Sequence, residues 1–452
     1  MITTYSLRGR KDRKDAREES SFASLAVFAC NVVLVAAAVT LATQKSEAHK
    51  PITSKYTYND DVFPILRDKC ASCHVEGGVA PMSLMTYELA YPWAESIRAE
   101  LIAAHMPPWN AEDGFGELRK AHTLSAKELD VVLTWATGGN PQGDREKTLP
   151  AVTLKRGWAT GKPDLVLAVP SEFALVADKM DDTHEWTLST GTADARWVRA
   201  VDLLPGTPSI VRSAIVYVRT AAAGAPSGVA QPPSLSASAS QGPGAAKTAG
   251  PEPDHIIARW LPGQDPEPIG NGVAFRLPAG AELGVRIHYR KTWQFEGKTM
   301  TDRSTVGVYF APAQSAQELL ALPITSPALE TAAQNDRVTF SQTIDEDVQA
   351  LALSPDQVPP NITVQVQAVR PDGSRAPMIR LNTRADWGRR YWFERPVALP
   401  RGSRIEVVAT LQDPDLLSAA FAAPSAATTA ARPSALRLSL NVIPGRAKPS
   451  AP

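Results

Sequence analysis

The sequence is poor in cysteine: only Cys30, Cys70 and Cys73 occur among its 452 residues. Three cysteines cannot build the disulfide framework of a small secreted domain. The sequence also lacks a charge excess, because 47 Lys and Arg residues balance 47 Asp and Glu residues. A nucleic-acid-binding protein usually carries a basic surplus. We therefore expect no nucleic-acid partner.

Aromatic residues are scarce as well, at 7% of the chain, whereas proline is abundant with 38 residues. Proline removes a backbone donor and breaks helix interiors, but it is common in turns and linkers. This composition argues against a helical bundle and favours short strands joined by turns. The length of the chain allows several domains.

Residues 1–48 have the pattern of an export signal. Basic residues come first, and residues 22–42 follow without any charged side chain. A membrane-spanning helix needs about 20 such residues, and a basic flank keeps the preceding terminus in the cytoplasm. Residues 1–48 are therefore either a signal peptide, with Ser46-Glu47-Ala48 as a possible cleavage site, or an uncleaved membrane anchor through residues 22–42. Both alternatives place the remaining chain on the periplasmic side of the cell membrane.

Cys70-Ala71-Ser72-Cys73-His74 has the C-x-x-C-H spacing of a covalent haem site. Two thiols one helical turn apart can add to the two vinyl groups of one haem, and the next histidine can ligate the iron. We predict one haem c, attached to Cys70 and Cys73, with His74 as an axial ligand. A redox dithiol would require a βαβ setting, and a zinc site would require a second cysteine pair. Neither is visible in the sequence.

The second axial ligand is predicted to be Met106, in the string His105-Met106-Pro107-Pro108-Trp109. Two prolines stiffen the backbone after Met106, and a thioether ligand suits electron transfer. Met82, Met85 and His105 remain alternatives, as does an iron with an open face.

The sequence around the motif is helical in pattern. Apolar spacing predicts an amphipathic helix within residues 60–69, leading into the motif. Ser125-x-x-Glu128 is a capping box, and it predicts a helix Ala126–Thr137 that Gly138-Gly139 ends. We predict a small all-α cytochrome c domain over residues 50–145, with its first and last helices arranged as in class I cytochromes c, which it resembles.

The rest of the chain is β-rich. Short, β-branched segments separated by Pro, Gly and Asp predict a sandwich or jelly roll. Residues 221–253 are almost entirely Ala, Gly, Ser, Pro and Gln and predict a flexible loop. A boundary is expected near residues 312–335, which look strand-poor. The predicted strands are Asp164–Val169, Trp197–Leu203, Ser209–Thr220, His255–Leu261, Leu283–Tyr289, Ser304–Phe310, Ile362–Val369 and Arg404–Thr410.

A series of short motifs follows in a fixed order through residues 56–412, and together they carry a family resemblance. They are Met106-Pro-Pro-Trp109, Gly161-Lys-Pro-Asp164, Trp197-Val-Arg-Ala200, Leu204-Pro-Gly206, Trp260-Leu-Pro-Gly263, Ile287-His-Tyr289, Asp302-Arg-Ser304, Pro371-Asp-Gly373, Trp387 and Leu399-Pro-Arg-Gly402.

The chain resembles a bacterial family that fuses a cytochrome c to a module similar to copper type II, ascorbate-dependent monooxygenases, the peptidylglycine-hydroxylating enzymes. The resemblance implies two consecutive β-sandwich (jelly-roll-like) domains, over residues 150–315 and 330–445. The expected architecture is multidomain: a membrane-spanning or signal helix, the cytochrome c domain and the two sandwiches.

The copper ligands of that family are replaced here. Its His-His pair corresponds to Arg212-Ser213, and its Pro-His-Met-His string to Pro355-Asp356-Gln357-Val358. Its Asp-Asn turn corresponds to Gln412-Asp413, and its later Asp-Glu-Met segment has no counterpart. Copper needs converging nitrogen and sulfur donors, whereas arginine carries a fixed positive charge. We expect no copper and no catalytic residues.

The remaining histidines predict no further site. His49 and His122 look like linker residues, His184 lies in a polar run that predicts a turn, and His255 is expected to open a strand. His288 in a strand is interpreted as a hydrogen-bonded residue rather than a ligand.

The favoured hypothesis is an exported electron-transfer protein that exchanges electrons with a redox partner or a respiratory-type complex. In it the degenerate sandwiches serve for docking or as a scaffold. A copper monooxygenase fed by its own haem and a haem-linked binding or sensing module are the two alternatives.

Overall fold

The computed structural model describes residues 53–119, 123–219, 255–264, 266, 269–270, 272–312, 317–327, 337–358, 362–383, 388–411 and 435–445. The predicted export segment, the low-complexity loop 221–253, His49, His122, Trp387 and Gln412-Asp413 lie outside these residues. Within the described ranges, no helix has both the length and the apolar character needed to cross a bilayer.

The N-terminal part is helical. A π-helical turn, Tyr58–Val62, leads into a helix that we call the motif helix, Phe63–Lys69. The helix Ala126–Thr137, here the closing helix, has the predicted bounds. Two further helices, Tyr87–Ala90 and Ala94–Ile102, are joined by a 3₁₀ turn, Tyr91–Trp93.

The capping box predicted for the closing helix is confirmed. The Glu128 amide donates to the Ser125 hydroxyl at 3.2 Å, and the Ser125 amide donates to the Glu128 carboxylate at 2.7 Å. These two bonds satisfy amides that the first helical turn leaves without partners.

The closing helix completes a small core around Trp135 and Tyr58, which are both fully buried. Their ring centroids lie 6.0 Å apart. The helix stops at Gly138, where a Cβ atom would lie 2.5 Å from the Ser54 amide nitrogen. The backbone of Ser54 lies so close to position 138 that only glycine fits at this position.

The remainder of the described chain is almost entirely β-sheet, in two sandwich-like bodies. The first body contains eleven strands. They are β1 (Leu165–Ala168), β2 (Phe173–Leu175), β3 (Asp181–Ser189), β4 (Arg196–Leu204), β5 (Val211–Arg219), β6 (Ile256–Trp260), β7 (Val273–Leu277), β8 (Glu282–Arg290), β9 (Met300–Asp302), β10 (Thr305–Phe310) and β11 (Gln317–Glu318). A 3₁₀ turn, Trp293–Phe295, precedes β9.

Two sheets of the first body share a core. One has the order β1-β10-β4-β7-β11 and the other β3-β8-β5-β6, with a β2-β9 ribbon beside them. Val198 and Val308 of the first sheet belong to the same buried cluster as Val216 and Val285 of the second. This shared apolar layer is what defines a sandwich.

In the described residues, the second body contains eight strands. They are β12 (Leu320–Thr325), β13 (Arg337–Thr343), β14 (Val348–Gln357), β15 (Ile362–Val369), β16 (Arg375–Asn382), β17 (Tyr391–Leu399), β18 (Arg404–Leu411) and β19 (Arg437–Pro444). Its sheets have the orders β12-β19-β14-β17 and β13-β18-β15-β16. β15 has strict alternation of buried and half-buried residues, as expected for a strand with one face on the core.

The prediction that residues 312–335 are strand-poor is wrong for residues 317–327, which the structure describes and which contain β11 and β12. β12 pairs antiparallel with β19 from Leu320↔Val442 to Thr325↔Arg437. Pro323 within β12 is compatible with pairing because β12 is an edge strand. The second sandwich therefore begins before residue 330.

A segment of the N-terminal part, residues 109–119, runs along the second sandwich. Single β-bridges join Ala111 to Leu381 and Leu118 to Phe393. The Glu112 amide donates to the Arg380 carbonyl at 2.8 Å. We call residues 109–119 the edge segment, since it contacts β16 and β17, the end strands of the two sheets.

One carboxylate of the second sandwich provides a test of pH-dependent stability. Glu406 on β18 accepts hydrogen bonds from Arg404, Gln367 and Arg375. The Arg404 hydrogen bond, followed by those of the other two residues, lowers the pKa of Glu406 below its ordinary value of 4.5. A carboxylate with a lowered folded-state pKa contributes stability above its unfolded pKa, and this contribution disappears as the pH falls.

We therefore expect Glu406→Gln to lower the free energy of unfolding at pH 7 and to reduce its dependence on pH below about 4.5. Urea denaturation of both proteins between pH 7 and pH 3 measures this. Parallel pH profiles for the two proteins would mean that Glu406 has the same pKa in both states.

Candidate functional site

The motif helix brings Cys70 to the site. Phe63 and Leu66 bury one face of this helix, and the Cys70 amide donates to the Leu66 carbonyl at 2.9 Å. Cys70 therefore lies at the carboxyl end of the helix, where the backbone presents carbonyl oxygens rather than amides.

The chain makes one more turn over the motif itself. The amides of Cys73 and His74 both donate to the Cys70 carbonyl, at 3.1 and 2.8 Å. Residues three apart in such a turn lie on one side of the backbone. The two half-buried thiols are free rather than joined in a disulfide. This arrangement fits the attachment of one macrocycle through two thioether bonds.

His74 is held in an orientation that suits a metal ligand. Its Nδ1 lies 3.3 Å from the Met82 carbonyl oxygen. A proton on Nδ1 leaves Nε2 as the free electron-pair donor, the usual arrangement of ligating imidazoles. Burial lowers the pKa of His74, and the charge of Arg212 acts in the same direction. Both effects favour the neutral ring that binds metals.

The thiols do not resemble those of a redox dithiol. Burial raises the pKa of Cys70 to about 12. Burial also raises the pKa of Cys73, although the Ser72 hydroxyl and the charges of Arg212 and Arg389 oppose this. Reactive C-x-x-C thiols have lowered pKa values, often at helix amino ends. Cys70 lies at the opposite end of its helix, so the redox-dithiol alternative is not favoured.

The first sandwich contacts the motif directly. The Cys73 Sγ lies 3.6 Å from the Pro262 carbonyl oxygen. At Gly263, with φ of +73°, a Cβ atom would lie 2.2 Å from the Ser72 hydroxyl oxygen. The Trp260-Leu-Pro-Gly263 string thus has a physical reason, because only glycine allows this approach to the motif.

Two arginines place positive charge beside the motif, one from each sandwich. Arg212 lies at a bulge of β5, where the register with β8 shifts between Val211 and Ser213. A bulge changes the direction of a side chain. Within the described part of the chain, the buried Nε of Arg212 has no hydrogen-bond partner. Arg389, directly before β17, is buried.

Met106 lies in the turn after the helix Ala94–Ile102 and is half-buried. Its amide donates to the Glu100 carbonyl at 3.4 Å. His105, an alternative ligand, has its Nδ1 3.1 Å from the Glu100 carboxylate. Met106 as the sixth ligand stays a prediction.

The alternative ligands Met82 and Met85, and Trp109 of the Met-Pro-Pro-Trp string, have structural contacts. Met85 belongs to the buried core, and Met82 contributes the carbonyl that holds His74. Trp109 meets Tyr391 edge-on at 5.2 Å and lies under the Arg389 guanidinium at 5.4 Å. The Met-Pro-Pro-Trp string therefore connects the helical part to the second sandwich.

His288, and Asp356 from the string that corresponds to the family's Pro-His-Met-His, are both engaged in ion pairs. His288 on β8 pairs with Asp181 at 2.9 Å, as a hydrogen-bonded strand residue. Asp356 on β14 pairs with Arg259 at 2.7 Å. In the described ranges no group of three or more His, Cys, Asp or Glu side chains is arranged to hold a metal ion.

One histidine prediction is wrong. His184 lies within β3 and not in a turn, where its ring contacts Trp186 at 4.4 Å and Phe173 at 5.2 Å. The polar run around it is the exposed face of an outer strand. His255, by contrast, directly precedes β6 as predicted.

Comparison with known proteins adds little to this geometry. No protein-family model matches the chain, and no curated protein matches it. A solved structure of a Paenibacillus xanthan lyase aligns with 66% of this chain at 8% identity and a TM-score of 0.16. The alignment spans 28% of that enzyme. A likeness at this TM-score carries no argument about fold or function.

Proposed function

We propose that this chain is an exported electron-transfer protein with one c-type haem on Cys70 and Cys73, and with His74 and Met106 as axial ligands. The observation that carries the proposal is the turn Cys70–His74, which has two free thiols on one side and an imidazole oriented through Nδ1. When bound, the haem iron supplies one-electron exchange.

The surroundings of the motif support this proposal. A haem carries two propionate carboxylates, and buried carboxylates require cationic partners. The guanidinium groups of Arg212 and Arg389 lie close enough to Cys73 to oppose the rise that burial causes in its pKa. They would supply this positive charge, and among the described residues the buried Nε of Arg212 has no hydrogen-bond partner.

The two sandwiches are proposed as the docking or scaffold part for a redox partner protein or a respiratory-type complex. Arg212 and Asp356 stand where the resembling family has copper ligands, so we propose no copper chemistry. The export pattern of residues 1–48 places this exchange on the periplasmic side of the cell membrane.

The test is the metal content of the full chain, produced in a host that matures c-type haem and is supplied with copper. We expect one iron and no copper per chain by elemental analysis, with an intact mass increased by one haem. An iron-free protein would disprove the haem proposal. One or two copper ions beside the iron would instead favour a monooxygenase fed by its own haem.

A further inference from the structure

Arg212 is the extra residue of the bulge in β5. Its neighbours Val211 and Ser213 pair with Tyr289 and His288, which are consecutive in β8, so no residue of β8 pairs with Arg212. Bulges are common next to functional sites because they change the direction of a side chain. The bulge thus removes Arg212 from the regular alternation of β5 and gives its side chain a direction of its own.

The strand register places Arg212 beside the C-x-x-C-H turn. β5 and β6 run antiparallel, and Ala214 pairs with Trp260. Two residues beyond Trp260, the Pro262 carbonyl oxygen lies 3.6 Å from the Cys73 Sγ. In an antiparallel pair, two steps forward along one strand match two steps back along the other, and these lead from Ala214 to Arg212. The charge of Arg212 consequently acts on the Cys73 thiol.

The guanidinium of Arg212 has no partner in the described part of the chain. The residue is half-buried, its buried Nε makes no hydrogen bond there, and no ion pair joins it to a described carboxylate. Asp181, the carboxylate that acts on its pKa, is bound to His288 at 2.9 Å. Arginine stays protonated at neutral pH. Arg212 therefore brings a positive charge to the motif that no described carboxylate pairs with.

Burial makes this charge unfavourable. Burial and the neighbouring charge of Arg290 both lower the pKa of Arg212. A charge removed from water is normally paired with an opposite charge. The planar guanidinium group recognises a carboxylate through two parallel hydrogen bonds. A carboxylate bound at the motif would therefore satisfy Arg212, and a haem carries two such groups as propionates.

We propose, on the basis of the haem attachment proposed above, that Arg212 pairs with one haem propionate and raises the reduction potential of the haem. A fixed positive charge near the iron favours the reduced state, which carries one positive charge fewer than the oxidised state. This charge comes from the first sandwich, whereas both thiols of the motif lie in the helical part. The first sandwich then acts on the redox chemistry itself and is more than a scaffold.

The test is a spectroelectrochemical titration of the full haem-loaded chain. Arg212→Gln should favour the oxidised form by about tenfold, because one unit charge near a partly buried centre changes an equilibrium by about this factor. For a one-electron couple, this corresponds to a potential that is lower by about 59 mV. Arg212→Lys keeps the charge and should restore most of the wild-type potential. A purely structural role for Arg212 predicts an unchanged potential in both variants and would overturn the proposal.

Arg290→Gln is the matched control, since Arg290 follows Tyr289 at the same end of the sandwich but is exposed. Water and salt screen an exposed charge, so this change should alter the redox equilibrium by less than about twofold. Equal shifts in Arg212→Gln and Arg290→Gln would overturn the proposal, because they would indicate a general effect of charge rather than a contact. If Arg212→Gln does not fold, Arg212→Met replaces it, since methionine keeps an apolar stem.

A soluble anion has the same chemistry as a propionate, so each titration is repeated with inorganic phosphate at constant ionic strength. A propionate partner predicts a wild-type potential that phosphate does not change. A phosphate-dependent potential that Arg212→Gln abolishes would overturn the proposal in favour of a soluble anion. Haem content, measured on the same samples, separates the two proposals. Haem-free wild-type protein contradicts the electron-transfer proposal, whereas haem-loaded variants with an unchanged potential contradict only the role of Arg212.

Discussion

Replacing Cys70 with alanine should lower the amount of covalently attached haem per chain by about tenfold or more. The reason is that the turn after the motif helix offers only two thiols, and one thioether bond cannot fix the macrocycle over His74 as two do. Intact mass and in-gel haem staining of the purified protein measure the effect, normalised to protein concentration.

Met106→Ala is the matched control for this change, because it leaves both thiols in place. It should keep the full mass gain of one haem and alter the absorption bands that report the axial ligands. A Cys70→Ala protein with normal covalent haem would mean that the attachment site is wrong. An unchanged spectrum in Met106→Ala would place the sixth ligand elsewhere.

The second large effect is expected at Asp356, which lies between the sandwiches rather than at the haem motif. The Asp356 and Arg259 side chains are both 3% exposed and 2.7 Å apart. Removing one partner of such a pair leaves a buried charge, which typically costs about 3–5 kcal/mol. We therefore expect Asp356→Ala to lower the free energy of unfolding by this amount.

Glu117→Ala is the comparison for Asp356→Ala. The Glu117–Arg395 pair has a similar length, 2.7 Å, but its side chains are 66% and 78% exposed. Exposed pairs contribute at most about 1 kcal/mol. Urea denaturation followed by tryptophan fluorescence gives both values. Equal losses in the two variants would show that Arg259 finds another anion or water when Asp356 is absent.

Local sequence patterns located the closing helix and eight of the nineteen described strands. Each strand named from the sequence coincides with a strand of the structure within about two residues, a normal uncertainty of element ends. β5 and β15 show why, since β-branched runs bounded by Pro, Gly and Asp leave little alternative. The capping box predicted where the closing helix begins, and the glycine after Thr137 predicted where it ends.

Long-range pairing could not be predicted in the same way. The pairing of β12 with β19 joins residues 320–325 to residues 437–442, and no local pattern in either strand specifies its partner. Eleven of the nineteen described strands, β3 and β14 among them, were not named from the sequence. In β3, polar residues interrupt the apolar positions.

The C-x-x-C-H spacing is visible in five consecutive residues, but the surroundings of these residues could not be predicted. Arg212 and Arg389 come from different sandwiches and meet Cys73 only in the folded chain. Trp260-Leu-Pro-Gly263 was noticed as a motif, yet its contact with Ser72 becomes visible only in three dimensions.

The edge segment has a consequence for the solubility of this protein. β16 and β17 end their sheets, and an uncovered end strand offers free amides and carbonyls to any other chain. The edge segment occupies some of these groups, as when the Arg119 amide donates to the Trp392 carbonyl at 2.9 Å. The helical N-terminal part thus shields the second sandwich from intermolecular strand pairing. A second sandwich separated from residues 109–119 would expose unpaired backbone groups on β16 and β17. It would therefore self-associate through these strands even if its own core were fully formed.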